Sequence, residues 1–191
     1  EKAEQLLDQH KPMLLIGTPM CTAFSNIQNL NKAKRDPAVI EAEIAKAREH
    51  LQWCCQLYQK QIDPGAYFLH EHPYPASSWN ESTVDEVLSL PGVILILSHM
   101  CKFGKVASKQ LSDGIIRLSK KPEGIMTNSP EIAFEVDVRC DHAPEAHLPS
   151  LHGRSDESRI WASGFCRAVL RGLRRQLKLD NKTCDDLTDQ L

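Results

Sequence analysis

Leu14-Leu15-Ile16-Gly17-Thr18-Pro19-Met20-Cys21-Thr22-Ala23-Phe24-Ser25 carries a short apolar run straight into a Pro-X-Cys turn. A continuous apolar run from Met13, ended by glycine and proline, has the pattern of a strand covered on both faces, so a central strand is expected here. The turn after it presents a thiol at its tip, a common way to hold a nucleophile. A second strand, from Ala66 to His70, delivers Glu71-His72-Pro73 at its own end. In a parallel sheet reactive groups collect at the carboxyl ends of strands, so Cys21 and Glu71 are the first candidates for chemistry.

The segment between these strands supports a parallel pairing. Asp36-Pro37 reads as an N-cap followed by proline at the first helical position. From there Ile40, Ile44, Ala47, Leu51, Cys54, Tyr58 and Ile62 recur at three- and four-residue steps, the stripe of a long helix packed on a sheet. Asp63-Pro64-Gly65 stops it. A shorter helix starts at Ser82-Thr83 and runs through Val84, Val87 and Leu88, and Val93 to Leu97 reads as a third buried strand. Such alternation predicts an α/β fold, a mostly parallel sheet with flanking helices joined by right-handed crossovers.

Beyond the third strand the pattern loosens. A further strand is expected from Gly124 to Thr127, and Val138 to Arg154 is rich in histidine and proline. A last helix is expected from about Asp156 to Lys178, burying Ala162, Phe165, Val169, Leu173 and Leu177 and carrying Arg167, Arg171, Arg174, Arg175 and Lys178 on another side. At the other end, Glu1 to His10 reads as an amphipathic helix turning Ala3, Leu6 and Leu7 to a core. Residues 180–191 form an acidic tail.

With 191 residues the chain is the size of one ordinary domain. A formal charge of -2 provides no global attraction to phosphate, so nucleic-acid contact requires a local basic patch. Seven cysteines without framework spacing read as reduced thiols of an intracellular protein. No apolar run approaches the length of a membrane span.

Taken together, the two strand-end motifs resemble the cytosine-5 DNA methyltransferase family. There a Pro-Cys loop supplies the attacking cysteine and a Glu-Asn-Val or Glu-Asn-Pro motif supplies a carboxylate that holds the cytosine edge. Phe24-Ser25 stands as in the Pro-Pro-Cys-Gln-X-Phe-Ser form of the loop. Cys101-Lys102-Phe103-Gly104, Lys121-Pro122 and Met126-Thr127-Asn128 look like a variant with Cys-X-Tyr-Gly, Lys-Pro-Thr and Trp-Thr-Asn. The Glu-His-Pro form is similar to methyltransferase-like domains of retroelement-type polyproteins.

The resemblance implies a partial Rossmann-like methyltransferase fold and assigns Cys21 as nucleophile on cytosine C6, with Glu71 on the N3 and N4 side of the base. Pro19, Thr22, Ser25, Arg167 and Arg171 become the substrate-binding candidates, DNA the partner and S-adenosyl-L-methionine the methyl donor. The departures are Met20 for the second proline, Thr22 for glutamine, and His72-Pro73 after the glutamate. The glycine-rich loop and acidic strand end for the donor precede the nucleophile loop in that family, so the chain reads as a single-domain fragment lacking that half. The alternative is a catalytically degenerate nucleic-acid-binding or structural domain of a mobile-element polyprotein. A zinc-stabilised module built on Cys140, His142, His147 and His152 is a third reading, but their spacing matches no standard finger and no metal ligand is assigned.

Overall fold

The computed structural model describes residues 2–26, 34–107, 111–148 and 159–182. Along the chain run α1 (Lys2–His10), β1 (Leu14–Gly17), α2 (Pro37–Ile62), β2 (Tyr67–Pro73), α3 (Ser82–Leu88), β3 (Ile94–His99), β4 (Pro122–Thr127), α4 (Pro130–Val136) and α5 (Ser163–Leu179). The fold is α/β, with four strands in the order β1-β2-β4-β3. β1 and β2 pair in parallel with Gly17 opposite His70. The sheet is mixed rather than clearly mostly parallel, and β4 lies between β2 and β3.

That order corrects the reading of the apolar runs. β1, expected at the centre, and β3, expected to be buried, are the outermost strands, and Ile16, Ile94 and Leu95 are exposed. β2 and β4 hold the interior. Their buried residues include His70, Glu71, His72, Glu123 and Thr127, so polar letters mark the best-covered strands.

The chain divides into two compact units, Glu1–Leu95 with Gly124–Asn128, and Ile96–Glu123 with Ser129–Leu191. In the first, α2 begins as its sequence dictates: the Asp36 carboxylate accepts from the Ala38 N–H at 2.9 Å and Pro37 opens the helix. Its second half buries Leu51, Cys54, Cys55 and Tyr58 against Phe68, Val84 and Val87. Each large side chain so buried contributes about 1.5–3 kcal/mol. From α1 only Leu7 is buried, while Leu6 and Ala3 face solvent.

Asn128 completes β2 from the side. Its amide donates to the Ala66 carbonyl and accepts from the Phe68 N–H, both at 2.9 Å, while the Thr127 hydroxyl donates to the Phe68 carbonyl. Two side chains thus satisfy backbone groups that a regular ladder would otherwise pair. Within the same unit Gly124 leaves room for Trp79, whose indole ring comes to 2.5 Å of where a Cβ would stand.

In the second unit α4 and α5 cross closely at Gly172, where an added Cβ would meet the Ile132 Cα at 2.5 Å. Phe165, Val169, Leu173 and Leu177 are buried as expected. α5 starts later than expected, at Ser163, with residues 159–162 outside the helix and the anticipated start at Asp156 outside the described residues. Most of the acidic tail, residues 183–191, also lies outside them.

Candidate functional site

Parallel pairing of β1 with β2 puts the ends of both strands on one rim. Cys21 follows Gly17 in the loop beyond β1, and Glu71 follows His70, the partner of Gly17. β2 runs on to Pro73, so Glu71 sits within the strand and is 7% exposed. Cys21 is half-buried and opens a single 3-10 turn, Thr22–Phe24, whose Phe24 N–H donates to the Cys21 carbonyl at 3.0 Å. Pro19 is buried, Ser25 half-buried and Thr22 exposed.

The loop is held from β2 and the segment after it. Phe24 packs edge-on to the His72 ring at 6.0 Å. The Ser77 hydroxyl donates to the Phe24 carbonyl at 3.2 Å, and the Asn26 amide to the Pro75 carbonyl at 2.9 Å. As strand alternation requires, His70 and His72 share one side, with rings 5.6 Å apart.

Both imidazoles are buried neutral bases. Burial pushes His70 down to about 3, with His72 adding to the effect. Burial likewise takes His72 down to about 4, opposed by Glu71 and by the Pro19 and Met20 backbone. His70 Nδ1 shares a 2.8 Å hydrogen bond with the Tyr58 hydroxyl, and His72 Nδ1 a 2.5 Å one with Ser78. Tyr58 in turn occupies the space a Cβ on Gly17 would need, 1.9 Å from the hydroxyl. Gly17, Tyr58 and His70 are therefore one packed unit beside the Cys21 loop.

The vicinal thiols of α2 have a different character. Burial raises Cys54 and Cys55 to about 11 each, which keeps them protonated and inert.

In the second unit, Arg167 and Arg171 are both exposed on α5, and Arg171 also has a partner on α4. Its guanidinium pairs with the Glu135 carboxylate at 2.7 Å, and Arg175 pairs with both Glu131 and Glu135. α4 therefore offsets two of the cations anticipated for phosphate.

A second group of chemistry-bearing residues gathers in this unit. Cys101, Cys140, His142 and His147 bring their ligand atoms within 4.8 Å of one another. Cys140 Sγ lies 3.4 Å from His142 Nδ1 and 3.4 Å from His147 Nε2. Cys101 is buried in the 3-10 turn Met100–Phe103, which Gly104 closes in the left-handed conformation. Three of the four were weighed from the sequence; His152 lies outside the described residues, and Cys101 takes the fourth place. Its signal was the Cys-Lys-Phe-Gly motif just after β3.

The chain matches no protein-family model, no curated protein and no solved structure with which it was compared. No helix among the described residues is long and apolar enough to cross a membrane.

Proposed function

We propose that the β1 and β2 ends form the nucleophile and base-holding rim of a partial Rossmann-like methyltransferase domain resembling DNA (cytosine-5)-methyltransferases. The observation that carries this reading is the parallel pairing of β1 with β2, Gly17 opposite His70, which sends the Cys21 loop and Glu71 to one rim. On a cytosine flipped out of the duplex, the Cys21 thiolate adds to C6. A bond forms from Sγ to C6, the ring electrons shift to a C4–C5 double bond, and N3 takes a proton while Glu71 hydrogen-bonds the N3 and N4 edge. The neutral His72 ring, edge-on to Phe24, positions the loop. Pro19, Thr22, Ser25, Arg167 and Arg171 are the substrate-binding candidates.

The described residues do not fit the methyl donor. α1 is the only element before β1, and it offers neither a glycine-rich turn nor an acidic strand end. No methyl-transfer step is assigned to these residues. The pairing of Arg171 and Arg175 with α4 favours, as a second reading, a domain that keeps the fold with a weakened hold on nucleic acid.

Covalent trapping tests the first reading. With the complete protein and DNA carrying a mechanism-based cytosine analogue, Cys21→Ser is expected to abolish the adduct and Glu71→Gln to slow its formation. Undiminished trapping by the serine variant rules out Cys21 as nucleophile.

A further inference from the structure

We propose that Cys101, Cys140, His142 and His147 form a closed, structural zinc site that pins the turn after β3 to the segment carrying the other three ligands. Zinc bound to thiolate and imidazole takes four ligands tetrahedrally, at about 2.3 Å to sulfur and about 2.0–2.1 Å to nitrogen, which places S and N ligand atoms roughly 3.6 Å apart. Cys140 Sγ stands 3.4 Å from one nitrogen of each histidine. A pair of thiol–imidazole hydrogen bonds accounts for those two contacts. It leaves unexplained the buried sulfur of Cys101, which converges on the same point so that all four ligand atoms fall within 4.8 Å.

The scaffold around the cluster is already tied. The Cys140 N–H donates to His99 Nδ1 at 2.8 Å, and Lys102 beside Cys101 pairs with Asp141 beside Cys140 at 2.7 Å. On the other flank the Leu118 N–H donates to the Ala146 carbonyl at 2.7 Å and the Leu148 N–H to the Leu118 carbonyl at 3.0 Å, holding His147 between them. Ligands on such supports lose little entropy when the metal arrives.

The donor set selects the ion. Two thiolates and two imidazoles suit zinc, whereas calcium and magnesium require oxygen ligands. Binding forms two Zn–S and two Zn–N bonds and releases the two thiol protons to water. The resulting centre is neutral, since two thiolate charges balance the dication. With four protein ligands no position stays open for water, which makes the role structural rather than catalytic.

The test uses the full chain, reduced, stripped with a chelator and titrated with zinc against a chromophoric competitor, and separately with cobalt. The expected result is one equivalent of zinc per chain and a cobalt spectrum with thiolate charge-transfer and tetrahedral d–d bands. Cys101→Ser and His142→Ala should each weaken binding by more than about 100-fold, beyond the 10–100-fold of losing a supporting group alone. Cys166→Ser, an exposed thiol outside the cluster, should bind as the parent does. His142 is exposed, so its truncation takes nothing from the core and keeps the test valid where Cys101→Ser fails to fold. No zinc binding by the parent chain, an oxygen-ligated cobalt spectrum, or unchanged affinity in His142→Ala overturns the assignment.

Discussion

Gly17 is the residue on which the strand-end arrangement depends. Its missing side chain is the space that Tyr58 occupies, and a methyl group there meets the hydroxyl at 1.9 Å and the ring carbons at 2.7 and 2.8 Å. The ring is buried and stacked on Phe68, so it has nowhere to retreat. Gly17→Ala is expected to cost at least the 1–3 kcal/mol typical of an overpacked core, read as a lower urea midpoint at unchanged slope. An unchanged midpoint would mean that Tyr58 is not seated against β1. Nothing local announces this pairing, since Gly17 reads only as the end of a strand. Cys101 was hidden for the same reason. Its ligand partners lie from Cys140 onward, and only the tertiary fold brings that sulfur to them.

For elements, the α4–α5 crossing weighs two opposing effects at one site. Gly172→Ala should gain up to about 1 kcal/mol of helix propensity in α5. Against that, its Cβ meets the Ile132 Cα at 2.5 Å and the Glu131 carbonyl at 2.7 Å, backbone atoms that cannot swing aside. Overpacking of this kind costs about 1–3 kcal/mol, so the variant is expected to be less stable, with a lower melting temperature by calorimetry. A raised melting temperature would show the helices free to separate. Helices of this chain were well legible because their signals are local. Asp36-Pro37 begins α2 and the apolar stripe continues it. Strands were found but their places were not. A run such as Val93 to Leu97 reads as doubly covered, yet β3 is outermost; β2 is interior although it spells His-Glu-His. Burial of those letters is tolerable because Tyr58 and Ser78 meet the two rings, and such partners do not appear in a periodicity.

At the scale of the whole molecule, the buried imidazoles make stability depend on pH. Both rings titrate lower in the folded chain, at about 3 and about 4, than the ordinary 6.5 they regain on unfolding. Between those values the unfolded chain binds more protons, so the contribution is full above pH 6.5 and is lost as pH falls toward 4 and then 3. Each ring adds a slope of up to about 1.4 kcal/mol per pH unit in that window. Urea midpoints taken with chelator present should therefore drop steeply from pH 6.5 to 4.5, and less steeply in His70→Gln; equal slopes in the two proteins would refute the buried neutral ring. The placement of β1 bears on handling of the chain in bulk. A short ribbon with Met13 and Ile16 uncovered and, among the described residues, a strand neighbour on one side is a template for another copy's backbone. A net charge of -2 supplies little repulsion to keep copies apart. Association in concentrated solution is thus expected to include strand addition at this edge, before any loss of fold.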